Sequence, residues 1–235
     1  NIILNTGGSF KNLKSHNYQK LLDLLGGAYF EDIDGFYNGN QSQSDLNNPN
    51  RQVVVGDAYG YNYNYVANTL EAFTQFNFSY NKVDFYLAQS FSSANYQREG
   101  LYKNGIYESN SFGKSEKITF ENFGFKGGVT YKISGKQVFV FNGAHLTKAP
   151  TIRNTFPNSR LNNSIIDELK SENISSLDAS YVFRSPKLKT RITGYFTLIK
   201  DATQTAFFYA EGIFDDGAGY SNTDAFVSQT LTHLN

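Results

Sequence analysis

The stretch "ENFGFKGGVTYKISGKQVFVFNGAHL", residues 121–146, repeats with a period of two. Phe123, Phe125, Gly127, Val129, Tyr131 and Ile133 fall on one side of an extended chain. Asn122, Gly124, Lys126, Gly128, Thr130 and Lys132 fall on the other. Only a β-strand sends successive side chains to opposite faces in this way. Ser134-Gly135-Lys136 then reads as a short turn, and a second apolar-rich run follows it. The unit is therefore a hairpin, greasy on one face and wet on the other.

Two more hairpins share the pattern. Leu70, Ala72, Thr74, Phe76, Phe78 and Tyr80 alternate with Glu71, Phe73, Gln75, Asn77 and Ser79, and a turn at Asn81-Lys82-Val83-Asp84 leads into residues 85–91. Leu177, Ala179, Tyr181 and Phe183 oppose Ser176, Asp178, Ser180 and Arg184. The chain turns at Ser185-Pro186-Lys187-Leu188 and returns through Ile192, Gly194, Phe196 and Leu198, with Arg191, Thr193 and Thr197 opposite. Proline suits that turn because it has no amide to withdraw from a ladder. The short turns recur about every 52 residues, separated by long polar connections near 97–120, 147–174 and from 210 onward, an asymmetry that outer-membrane barrels share.

A greasy strand face packs either on a second sheet, as in a soluble sandwich, or against lipid, as in a membrane barrel. Three features favour the barrel. Aromatics recur near strand ends (Tyr80, Phe85, Tyr131, Phe139, Phe183). The alternating runs reach the roughly 9–11 residues of a tilted spanning strand. The connections are long for a soluble domain. Phe123, Phe125, Val129, Tyr131, Ile192, Phe196 and Leu198 are the expected lipid-facing residues.

Composition excludes other classes. Twenty-one basic residues balance twenty-one acidic ones, so the basic excess that phosphate binding requires is missing and nucleic acid is not an expected partner. Zero Cys removes disulfides, thiolate metal sites and a Cys nucleophile. No run of about 18 apolar residues forms a transmembrane helix. The chain starts with Asn and contains no Met, so it reads as a piece of something longer.

Residues 1–58 are the least regular part and read as a loop-rich segment with a short helix near 15–25, capped by Ser15 or Asn17 and ended at Gly26. Residues 59–235 read as one incomplete domain of antiparallel strands and long loops.

Several stretches carry a family resemblance. Within "HLTKAPTIRNTFPNSRLNN" and "SLDASYVFRSP", the segments "KAPTIRNTFPNSR" and "DASYVFRSP" are the more specific. "YNKVDFYLAQSFSSANYQREGLYKNG", "TGYFTLIKDATQTAFFYAEGI" and the segment "DLLGGAYFEDIDGF" are more generic. Together they resemble the C-terminal half of the barrel of Bacteroidetes-type TonB-dependent outer-membrane receptors. That resemblance implies an all-β fold: an antiparallel transmembrane β-barrel segment, part of a 22-stranded barrel with long extracellular loops, of which this chain holds about a third. It further implies localisation in the cell outer membrane and energised nutrient uptake. The partners would be the lipid bilayer, TonB acting through a plug domain absent from this chain, a surface lipoprotein and a small-molecule or oligomeric nutrient. Two alternatives remain open: a non-energised outer-membrane adhesin or scaffold, and a soluble all-β carbohydrate-binding domain.

No catalytic constellation is visible, so an enzyme is not expected. His16, His145 and His233 share no ligand spacing and read as incidental. Gly127 and Gly128 precede no helix, so they form no phosphate cradle, and mark a bend or a close approach instead. Asp215, Asp216 and Asp224 could offer hard oxygens to calcium, the one cofactor considered, against the reading of an ordinary polar loop. The loop residues Tyr102, Tyr107, Phe112, Arg153, Phe156 and Arg160 are the candidate ligand contacts, against the reading that they pack the loops together.

Overall fold

The computed structural model describes residues 1–210 and 225–234. Its strands are β1 (Ile2–Lys20), β2 (Phe30–Glu31), β3 (Gln52–Val53), β4 (Ala58–Ser79), β5 (Val83–Gly100), β6 (Gly113–Lys114), β7 (Ile118–Lys132), β8 (Gln137–Lys148), β9 (Glu172–Arg184), β10 (Lys189–Lys200), β11 (Ala202–Ala210) and β12 (Ala225–Leu234). A 3-10 turn at Gly39–Ser42 and one helix, α1 (Ile152–Thr155), complete the elements. Strands β1, β4, β5, β7, β8, β9 and β10 lie side by side in that order in one antiparallel sheet, with the short β6 added to β5. β11 and β12 pair as a separate hairpin, and β2 pairs with β3. The fold is all-β and antiparallel.

The N-terminal segment departs from the sequence expectation. Residues 15–20 are not helical; they continue β1, which runs 19 residues and pairs along β4 from Ile2 opposite Phe78 to Lys20 opposite Ala58. Gly26 does take a left-handed conformation (φ 91°), but in a turn after a strand. Pairing along a whole neighbouring strand overrides the weak local helix signal.

The three short turns sit at one end of the sheet and the long connections at the other. Tyr80 N–H donates to Val83 O at 2.9 Å, Ile133 N–H to Gln137 O at 3.0 Å, and Ser185 N–H to Leu188 O at 2.7 Å. These turns are not level along the strands. Ser79 and Asp84 close the first hairpin, and Asp84 lies opposite Thr130. β7 continues two residues further, to Lys132 opposite Val138. Val138 lies opposite Val182, and β9 runs two more, to Arg184 opposite Lys189. The line of turns therefore steps two residues per hairpin, always in the same direction.

Candidate functional site

The sheet has one apolar and one polar face, set by the register. On the apolar face Ile2, Phe78, Phe85, Val129, Phe141 and Ala179 align across six strands. The next row toward the loops is Leu4, Phe76, Leu87, Gly127, Gly143 and Leu177. Phe123, Phe125, Val129, Tyr131, Ile192, Phe196 and Leu198 all stand on this face and are exposed. Nothing among the described residues packs over them. Rings line the turn end: Phe78 stacks on Phe85 at 4.4 Å, and Phe139 meets Tyr181 at 5.2 Å. Toward the loop end the rows turn polar, with Asn12 donating to Asn68 and Thr119 to Asn95.

The polar face is tied together by side chains crossing between strands. Lys132 Nζ lies 2.6 Å from Asp84, and Lys11 lies 2.8 Å from Glu71. Tyr86 reaches over Gly128 and donates to Asn142 Oδ1 at 3.3 Å, while Asn142 Nδ2 donates to Asp178 at 2.9 Å. Arg191 donates to Ser180 Oγ at 3.0 Å. The Gly-Gly pair is now explained, one glycine per face: Gly127 lies under Leu87, and Gly128 lies under Tyr86. The reading of a close approach holds.

At the loop end, three connections fold into one cap. Leu46 N–H donates to Lys103 O at 2.7 Å and Gly105 N–H to Gln43 O at 2.9 Å, joining the first long connection to the second. Asn163 N–H donates to Asn110 O at 2.8 Å, joining the second to the third. Arg98 lies beneath the cap and is 2% exposed. Its Nε donates to Ser159 O at 2.7 Å, its Nη1 to Ser111 O at 3.0 Å and to Asn163, and its guanidinium lies 5.2 Å over the ring of Tyr63. Those acceptors come from the second and third connections, so one side chain fastens both to β5. Asp32 is buried at the foot of the first connection, where it accepts from Arg51 and from Gly60 N–H. Partial burial disfavours the Arg51 cation, but contacts with Tyr102 and Asp32 outweigh that cost and hold its pKa above the ordinary arginine value. Burial, with Asp34 nearby, raises the Tyr37 phenol.

The candidate ligand contacts are scattered through this cap. Phe156 is 0% exposed and packs against Tyr65 at 5.9 Å, so it belongs to the packing beneath the cap. Tyr102 donates to Ala58 O at 3.0 Å and lies 4.8 Å beneath Arg51, a packing role. Tyr107 is half-buried. Arg153 and Phe112 are exposed, and Arg160 is exposed over Tyr61 at 5.1 Å. No hydrogen bond or ring contact joins any two of the six. Asp215, Asp216 and Asp224 lie outside the described residues. Among the described residues no cluster of three His, Asp or Glu groups could hold a metal.

Sequence reasoning missed Arg98 and the tyrosine row Tyr61, Tyr63 and Tyr65, whose rings follow one another at 6.0 and 5.1 Å beneath the cap. The signal was present in "YGYNYNY", residues 59–65, where tyrosine and asparagine alternate. Comparison of the chain with protein-family models, curated proteins and solved structures finds no match.

Proposed function

We propose that this chain is a barrel segment of an outer-membrane receptor that takes up a nutrient with energy delivered by TonB through a plug domain. The observation that carries the reading is the uncovered apolar face. In a soluble sandwich Phe123, Phe125 and Tyr131 would be buried on a second sheet; here they are 53%, 59% and 44% exposed. Leu70 to Phe78 is eight steps along the strand, about 27 Å at about 3.4 Å each, or about 22 Å of height at a tilt of about 35°. A spanning band is about 25 Å tall. The polar face would line the lumen, and the folded cap would face the cell exterior.

The strand edges support the same reading. Among the described residues β1 and β10 each have a strand on one side only, and every residue of β10 is exposed. Unpaired backbone is intolerable in hydrocarbon, so further strands must complete the wall in a full barrel of the 22-stranded kind.

Fractionation of the native cells tests localisation. The chain should stay with the outer membrane after an alkaline carbonate wash; recovery in the soluble fraction overturns the reading. Accumulation of a bound nutrient should stop when the proton-motive force is dissipated, while surface binding persists. Binding with no accumulation under either condition identifies an adhesin or scaffold instead.

A further inference from the structure

The apolar face is not evenly filled. Between β4 and β8 lies an open hollow of about 630 Å³. Gly127 and Gly143 are paired neighbours on adjacent strands, and the face dips between Leu87 and Leu177, which overhang them from either side. Phe76 and Leu87 form its walls in the row of the glycines. One row nearer the loops, the lining turns polar at Gln89 and His145. His145 was read from sequence as incidental. It stands on the apolar face with Nδ1 2.9 Å from Ser175 Oγ.

We propose that this hollow seats one acyl chain of a bilayer lipid, held in preference to the lipids that merely brush the belt. The inference rests on the membrane reading of the apolar face. Its own support is the polarity gradient along the strands. The walls are hydrocarbon toward the turn end, where the bilayer interior would lie. In the next row toward the loops three polar side chains, Thr74, Gln89 and His145, flank Phe125. An amphiphile has the same gradient: a chain that fills the dip above the glycines, and an ester or hydroxyl linkage that meets Gln89 and His145. The hollow falls within the about 300–1,000 Å³ of small-ligand sites, large enough that an unfilled void would forfeit dispersion contacts along its whole lining.

The chain contains no Trp, so a single introduced indole reports without background. Phe76→Trp places it on the wall of the hollow, and Ile192→Trp places it on the belt elsewhere. Each variant of the full-length receptor is reconstituted in phosphatidylcholine vesicles containing increasing fractions of lipid brominated on the acyl chain. The Ile192→Trp signal should fall in proportion to the brominated fraction. The Phe76→Trp signal should reach half of its full quenching at a several-fold lower fraction, and Gly143→Leu, which fills the dip, should remove that difference. Equal quenching of the two indoles overturns the lipid seat and leaves the belt intact. Absence of quenching at both overturns the membrane reading itself. Early quenching that persists in Gly143→Leu places the preference outside the hollow and also overturns the seat.

Discussion

The ring of Tyr86 lies directly over Gly128 on the neighbouring strand, close enough that a Cβ at Gly128 would overlap it. The same Cβ would overlap Asn142 Oδ1, the atom that accepts the Tyr86 hydroxyl. Gly128 is thus the opening through which β5 reaches β8 across β7. Gly128→Ala should destabilise by about 1–3 kcal/mol, the usual range for overpacking. Gly194→Ala, where a Cβ meets nothing within 4 Å, should be neutral or mildly stabilising. Urea unfolding of the reconstituted protein compares them, and equal midpoints would remove the role assigned to Gly128.

Val129 and Thr130 are chain neighbours on opposite faces: Val129 is exposed on the apolar side, and Thr130 lies opposite Asp84 on the polar side. Arginine in the middle of a lipid-facing belt costs about 2–4 kcal/mol, and lumen-facing substitutions cost far less. Val129→Arg should therefore impair folding into vesicles much more than Thr130→Arg. Equal tolerance contradicts a lipid-facing Val129.

Much of this was legible in the sequence because period-two alternation fixes strand faces residue by residue. The turns near residues 81–84, 134–136 and 185–188 were readable, although the strand after the first already begins at Val83, as was the side on which Phe123 or Ile192 stands. β1 was not. Asn5, Gly7, Gly8 and Asn12 dilute its alternation, and its partner β4 begins 38 residues after β1 ends, at Ala58. The cap was also hidden. Arg98 meets Ser159 and Asn163 across separations of 61 and 65 residues, and no local pattern marks such a contact. Phe156 looked like a ligand contact for the same reason: an aromatic residue in a polar loop is read as exposed until the loop is seen to fold back over Tyr65.

Arg98 fastens the second and third connections to β5 with one side chain. Arg98→Ala leaves the carbonyls of Ser111 and Ser159 and the amide oxygen of Asn163 without their donor under the cap, at about 1–3 kcal/mol for each acceptor that stays dry. Arg98→Lys keeps the charge but loses the planar fork that reaches several acceptors at once. Both variants should be nicked by protease within residues 101–117 and 149–171 at enzyme levels that leave the wild type whole, with strand content by circular dichroism unchanged. Identical cleavage patterns would show that the cap holds without it.

The absence of cysteine makes topology directly readable. Asn110 is exposed in the second long connection, and Gly135 is exposed in a short turn at the opposite end. In whole cells Asn110→Cys should react with a membrane-impermeant maleimide, and Gly135→Cys should react only after the outer membrane is opened. The reverse pattern would place the short turns outside.

The stepped line of turns predicts an angle. Each hairpin extends two residues beyond the one before it, about 7 Å along the strands, while the sheet advances two strands, about 9.6 Å across them. If all three turns lie at one membrane surface, the strands lean from the membrane normal by the angle whose tangent is that ratio, about 35°. From β1 to β9 the loop-side border of the apolar face drifts the same way: the apolar run reaches Phe10 and Leu70 on β1 and β4, but stops at His145 on β8 and Ser175 on β9. Barrel closure demands a tilt of about 35–45°, whereas a sheet packed in a soluble sandwich has no need to align its turns obliquely. Polarised infrared spectroscopy of the protein in oriented bilayers should give an amide dichroism corresponding to a mean strand tilt of about 35–45°. Strands lying flat on the bilayer, or with no preferred orientation, would break the link between the register of these hairpins and a spanning barrel.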